Sequence, residues 1–297
     1  MILSRWSKGD LRMSIEIKNV TKKFGDNTAL NNVSISFGEN KIYGLLGRNG
    51  AGKSTLLNII TNRLFATEGE VTIDNLPACE NDKAQEKIYL MSEKTLYPQD
   101  MKLKAILKWT KNFYPNFDMD KAMEYAKIFK LDINKKMKAL STGYTSIFKL
   151  IIAMSVNTPY VILDEPVLGL DANHRELFYQ LLIEKYSEEP FTIIISTHLI
   201  EEISALIEEA VIISEGEVLL HKTREDLLAL GYSVSGKATE VDAYIAGKET
   251  IGVDALGGLK TAYVMGRPDS DISENLEITT LDLQKLFVKL TNSKEAE

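Results

Sequence analysis

The chain has a single cysteine, Cys79, among 297 residues. One thiol can form neither an internal disulfide nor a thiolate metal cluster, which fits a reducing compartment and makes the cytoplasm the default location. Long apolar runs are also missing. The longest, Leu150 to Met154, is far short of the ~20 residues that a membrane helix needs. Nor is there a surplus of positive charge: 35 basic side chains stand against 42 acidic ones, a net charge of −7. That balance excludes the broad basic surface that double-stranded nucleic acid demands, so no nucleic-acid partner is expected. Repeats and low-complexity tracts are absent as well. With 44% hydrophobic and 26% charged residues, what remains is an ordinary soluble globular composition, long enough for one large core with a small appendage.

Residues 1–13 mix charge with too little apolar length for a signal-peptide core and read as a disordered leader. Met13-Ser14 opens into the alternating Ile15-Glu16-Ile17-Lys18-Asn19-Val20, a half-buried strand pattern that makes Met13 a candidate start. Further strands are expected at Val33 to Phe37, Lys41 to Leu46 and Glu70 to Asp74. From about Glu93 to Val156 the texture becomes amphipathic helix. Leu103, Ile106, Leu107 and Thr110 form one stripe, Met123, Ala126, Lys127 and Lys130 another, and Asp118 is the natural cap of the second helix. Three apolar runs then follow, Val161 to Leu163, Thr192 to Ile195 and Val211 to Ile213, separated by helices that begin near Asn173 and Leu199. Strand and helix alternate, which says α/β. Past Leu220, Thr223-Arg224-Glu225-Asp226 and Thr239-Glu240-Val241-Asp242 read as capping boxes that open short helices. Strands are expected at Tyr232 to Val234, Thr261 to Met265 and Leu276 to Thr279, so residues 231–297 form a small α+β appendage.

Gly47-Arg48-Asn49-Gly50-Ala51-Gly52-Lys53-Ser54 matches G-x-x-x-x-G-K-S/T between an expected strand and helix. Glycines let successive N–H groups turn inward around phosphate oxygens, and the helix opening at Lys53 aims its positive end at them. Lys53 reaches the β- and γ-phosphates, the Ser54 hydroxyl ligates Mg²⁺, and Thr55 completes the cradle. Phosphoryl transfer to water also needs a second metal ligand and a group that orients the water. Tyr160-Val161-Ile162-Leu163-Asp164-Glu165 supplies both at a strand end. Asp164 would hold the metal, directly or through water, and Glu165 would polarise the nucleophile.

Over about Ser14 to Leu230 these residues resemble the ATP-binding cassette (ABC) ATPases. Leu140-Ser141-Thr142-Gly143-Tyr144 stands where that family's LSGGQ signature falls, about twenty residues before the acidic pair. Gly169-Leu170-Asp171 resembles the D-loop, and His198 after Thr192 to Thr197 the switch histidine. The resemblance implies a P-loop NTPase fold of the ABC type over residues 14–230, with a helical subdomain at about 93–156. It also implies ATP and Mg²⁺ as cofactors, and hydrolysis of ATP to ADP and phosphate coupled to transport. ATP sites in the family form between two subunits, so Ser141 and Gly143 of one chain would meet the γ-phosphate held by Lys53 of the other. His198 would hold Glu165 and its water in line, and Asp171 would couple the two sites. Phe24 occupies the place where the family stacks an aromatic ring on adenine, although a core role fits it too.

Two departures stand out. Glu93 replaces the family's glutamine metal ligand, adding negative charge beside Asp164 and Glu165. Thr142 and Tyr144 replace a glycine and a glutamine of the signature. The resemblance implies a dimer, homo- or heteromeric, on the inner face of the cell membrane, gripping an integral-membrane permease near Glu93 to Met101. The aromatics Tyr97, Phe113, Tyr114 and Phe117 would either meet that permease or close the helical subdomain. The signature, Glu93, the Phe-Tyr-Pro-Asn segment and the tail around Leu283 to Phe287 are similar to exporters of peptides, including phenol-soluble modulins, and to bacitracin- or lantibiotic-resistance ATPases. A soluble non-transport cassette and a regulatory ATP-binding module are the alternatives.

Overall fold

A computed structural model of the chain describes residues 13–269 and 271–292; the expected leader therefore lies outside the described residues, apart from Met13. A hairpin of β1 (Ser14–Phe24) and β2 (Asn27–Gly38) leads into β3 (Ile42–Leu46) and α1 (Lys53–Ile60). Next come β4 (Glu68–Ile73), β5 (Leu76–Pro77), α2 (Asp82–Gln85) and β6 (Ile88–Met91). The helical segment holds α3 (Leu103–Phe113), α4 (Met119–Ile128) and α5 (Thr142–Ser155). Alternation then returns with β7 (Tyr160–Asp164), α6 (Ala172–Glu188), β8 (Thr192–Thr197), α7 (Ile200–Ile203), β9 (Glu209–Ser214), β10 (Glu217–Thr223) and α8 (Arg224–Leu228). The chain continues through β11 (Gly231–Lys237), α9 (Ala238–Ile245), β12 (Thr250–Leu256), β13 (Leu259–Met265), β14 (Glu277–Thr280) and α10 (Leu283–Asn292).

Among the described residues the strands form three sheets. The central one runs β10-β9-β3-β8-β7-β6, parallel except for β10 at its edge. The antiparallel β2-β1-β4-β5 covers one face, and β12-β13-β11-β14 forms the third. Because successive side chains of a strand point to opposite faces, the central strands divide their apolar residues between two cores. Val161 and Leu163 of β7, Ile193 and Ile195 of β8, and Ala210 and Ile212 of β9 face the helical side. Tyr160, Ile162, Ile194, Val211 and Ile213 face the antiparallel sheet. Burial on both faces is why these strands read as unbroken apolar runs. Their carboxyl ends carry Gly47, Ser92, Asp164 and Thr197, at the edge where open α/β sheets place ligands.

Some local readings need correction. Asp118 caps α4, its Oδ1 accepting from the Lys121 amide at 2.9 Å, but the buried stripe of that helix is Ala122, Tyr125, Ala126 and then Phe129, with Lys127 and Lys130 exposed. Two lysines cannot share an apolar interior, so the helix rolls to bury the aromatic rings. Thr223 caps α8, accepting from Asp226, whereas α9 is capped not by Thr239 but two residues earlier, at Lys237, without a side-chain hydrogen bond. β12 carries no alternating pattern: Val253 to Leu256 are exposed.

Candidate functional site

The loop between β3 and α1 is shaped by glycines that no other residue could replace. A Cβ on Gly47 would lie 2.6 Å from the carbonyl oxygen of Ile213, and one on Gly52, at φ 107°, 2.7 Å from that of Ala29. Gly52 is also the N-cap of α1, so the loop ends where the helix amides are unpaired. Residues 48–55 wall a cavity of about 520 Å³ with Ala29, Glu93, Asp164, Glu165, Leu168 and His198.

Lys53 is 6% exposed, and its ammonium donates to the carbonyls of Gly47 (2.5 Å) and Arg48 (3.2 Å). Burial pulls its pKa down, opposed by the carboxylates of Glu165 and Asp164. Asp164 accepts from the Ser54 hydroxyl at 3.1 Å and the Ser196 hydroxyl at 2.8 Å. Burial pushes its pKa up, while the two hydroxyls hold it down. Ser54 and Asp164 thus stand side by side as hard oxygen donors, which suits Mg²⁺, with Glu93 in the same wall. Among the described residues no three acidic or histidine side chains gather into a metal cage. Bound Mg²⁺ would therefore take its other ligands from water and phosphate oxygens, as that ion usually does.

Glu165 follows β7 in a left-handed conformation, φ 49°, unusual for a residue with a Cβ. Its amide donates to the carbonyl of Ser196 at 2.8 Å, fixing that turn against β8. The carboxylate accepts from Thr197 Oγ1 at 3.0 Å on one oxygen and from His198 Nδ1 at 2.9 Å on the other. Glu165 and His198, far apart in sequence, form one hydrogen-bonded unit in the cavity wall. Thr197 and Ser196, which orient the two acids, are the residues that sequence reasoning missed. Both hydroxyls lie at the end of β8, on the strand beside the acidic pair, and that placement was the available signal.

Ser141, Gly143 and Asp171 are not part of this wall. Ser141 caps α5, accepting from Tyr144 at 3.3 Å, and Asp171 caps α6, accepting from the His174 amide at 2.9 Å and pairing with its Nδ1 at 2.8 Å. Both acceptors are exposed, and Gly143 packs against Gly169. Phe24 is 49% exposed at the end of β1, with the Lys22 ammonium 5.0 Å from its ring centre, and is outside the cavity wall.

Beyond Glu93 lies a second cavity, about 470 Å³, whose walls include Tyr89, Leu96, Tyr97, Trp109 and Phe113. The aromatics divide between the two expected roles. Phe117 is buried, Tyr114 meets Tyr89 edge-on at 5.4 Å, and the hydroxyls of Tyr89 and Tyr97 lie 3.0 Å apart, so these rings close the subdomain. Trp109 (51% exposed), Phe113 (73%) and Leu96 (66%) remain open to solvent. Trp109 and Phe113 are four apart on α3, on the flank beside Ile106 and Thr110 of its buried stripe. That spacing is the sequence signal for Trp109, which was overlooked.

The family model for ABC transporters matches residues 30–168. An ABC transporter ATP-binding protein of Methanocaldococcus jannaschii, MJ1023, is 34% identical over 227 residues, covering 73% of this chain and 80% of that protein. YtrB of Bacillus subtilis, an ABC transporter ATP-binding protein, is 30% identical over 192 residues, 65% of this chain and 66% of its own length. The lantibiotic transport ATP-binding protein SrtF of Streptococcus pyogenes is 29% identical over 232 residues, covering 70% and 90%. Among solved structures, the dimeric post-hydrolysis state of the ATP-binding cassette MJ0796 bound to ADP and Pi matches with a TM-score of 0.63. It is 28% identical, covering 71% of this chain and 98% of that one. The chain belongs to the ABC transporter ATP-binding proteins, and its fold is that of their P-loop cassettes.

Proposed function

We propose that this chain hydrolyses ATP as the cassette subunit of a transporter, paired with a second cassette and attached to a separate membrane permease. The observation that carries the reading is the convergence of Lys53, Ser54, Asp164, Glu165 and His198 on one cavity. ATP lies with its β- and γ-phosphates on the amides of residues 48–55 and the Lys53 ammonium, which swings from its own loop carbonyls to meet them. Ser54 and Asp164, with Glu93 as a further ligand, would hold Mg²⁺, whose charge would offset that developing on the phosphate oxygens. Glu165 orients the attacking water and accepts its proton as the bond to the γ-phosphorus forms and the bond to the ADP oxygen breaks. His198 holds that carboxylate in line. The exposed Ser141 and the partly exposed Gly143 of the signature complete the site of a second chain, Asp171 joins the two sites across the interface, and Phe24 stacks on adenine.

The groove of Leu96, Trp109 and Phe113 takes the permease, placing the chain on the inner face of the membrane; aromatic side chains are enriched at such interfaces. Among the described residues no helix is long and apolar enough to cross a membrane. The similarity to SrtF supports peptides or antimicrobials as cargo.

Glu165→Gln is expected to lower turnover by about 100-fold or more while ATP stabilises a dimer detectable by light scattering. Unchanged turnover would overturn the catalytic assignment. Purification from detergent-extracted membranes should recover a multi-span protein in near-stoichiometric amount. Recovery only in the soluble fraction would favour a non-transport cassette.

A further inference from the structure

Lys149 is a charged residue that the reaction described above does not use. It lies two turns into α5, is 6% exposed, and its ammonium donates to the backbone carbonyls of Ser92 (3.0 Å) and Glu93 (2.7 Å). A cation is rarely placed this deep without strong acceptors, because desolvation must be offset. The two residues it holds are the first after β6 and begin the loop that separates the two cavities. Glu93 lines the phosphate cavity, while Ser92, Lys94, Leu96 and Tyr97 line the apolar groove, which Lys149 also lines. The carboxylates of Glu93 and Asp164 both attract the same ammonium.

α5 itself starts at the signature, with Ser141 as its cap. Lys149 is seven residues from Thr142 along a continuous helix, a rise of about 10 Å. One rigid element therefore has the signature at its head and the Glu93 loop pinned to its flank.

We propose that Lys149 is a positioning residue: a buried cationic clamp that locks the Glu93 loop to the signature helix and supplies the counter-charge for a carboxylate at position 93. The clamp makes loop and helix move together, so a displacement in the groove reaches both the chain's own metal site and the signature offered to the second chain. A neutral residue at 149 would leave two carbonyls without their donor and a carboxylate without its neighbouring cation. This rests on the reading of the cavity as an ATP and Mg²⁺ site, but the loop's attachment can be measured with neither present.

The test uses the full chain with Lys149→Met and Lys149→Arg. The first readout is limited trypsin cleavage after Lys94, which lies in the clamped loop, without nucleotide or magnesium. In Lys149→Met that cut is expected to be about fivefold faster or more, with other sites unchanged, since local opening there no longer breaks the clamp. The second is steady-state turnover. Lys149→Met should lower kcat about tenfold with KM for ATP within about threefold, because the phosphate loop is untouched. Lys149→Arg, which keeps charge and donors, should recover most of both. Wild-type cleavage after Lys94 in the Met variant would overturn the clamp, as would equal acceleration at every site, the mark of general destabilisation. Should Lys149→Met fail to fold, Lys149→Gln replaces it and the same two outcomes decide. Absence of ATP turnover in the wild type would refute the catalytic reading, and the cleavage arm would still decide the clamp.

Discussion

Gly143 serves a second purpose that its place in the signature does not announce. A Cβ there would lie 2.7 Å from the carbonyl oxygen of Gly169, itself at φ 79°, and neither backbone can yield cheaply. Signature and D-loop segment therefore pack backbone to backbone within one chain, next to Asp171 and its His174 partner. Gly143→Ala is expected to push them apart, costing about 1–3 kcal/mol as overpacking. Turnover should fall by at least about tenfold, while binding of a fluorescent ATP analogue by the phosphate loop stays near wild type. Loss of binding together with turnover would show that the damage is not confined to the signature side. The residue was legible in the sequence as a family position, but its contact was not. Only the fold brings residue 169 beside it, and no local pattern encodes so distant a clash.

At the scale of elements, legibility followed the strength of the local physics. The phosphate loop could be read because glycine spacing, strand and helix all constrain the same few residues, and the central strands because burial on both faces leaves no polar position in them. α4 was located correctly by its cap but rotated wrongly. Its sequence offers weak apolar contrast, and packing against α5 and α3 decides which side is buried. β12 was missed because Gly252 and Asp254 interrupt it and its outer half is exposed; pairing with β13 holds it in place. The cap on α4 gives a direct check. Asp118 satisfies an otherwise orphaned amide at the start of that helix. Asp118→Ala is expected to cost about 1 kcal/mol, a fall in Tm of about 2–4 °C by calorimetry. Asp118→Asn, which keeps the acceptor, should cost much less. Equal losses in the two variants would place the effect in charge and not in the capping bond.

For the whole molecule the open question is whether residues 231–297 are an appendage or part of the cassette. The change of texture near Leu230 is visible in the sequence, but no local pattern shows how the segment returns. α10 packs against α7 and β12. Leu281, Leu283, Leu286 and Phe287 are buried in the same cluster as Ile200, Ile203 and Leu227 of the cassette. The third sheet keeps a small core of its own around Tyr232, Val234 and Val264. The segment is thus independent at one end and interlocked at the other, against α7, the helix that follows His198 in the chain. Removing everything after Leu230 would strip the apolar cover from α7, and truncating one large buried side chain alone costs about 2–5 kcal/mol. Phe287→Ala, which takes away one ring and leaves the small core intact, is expected to lose about 3–5 kcal/mol. Denaturant unfolding should show the loss as a lower midpoint at an unchanged slope. If α10 also steadies the His198 turn through α7, ATP turnover should fall in the folded fraction as well. A Phe287→Ala protein with wild-type stability would mean that α10 merely rests on the cassette. One that is destabilised yet turns over ATP normally would make the tail a brace for the fold and not a regulator of the site.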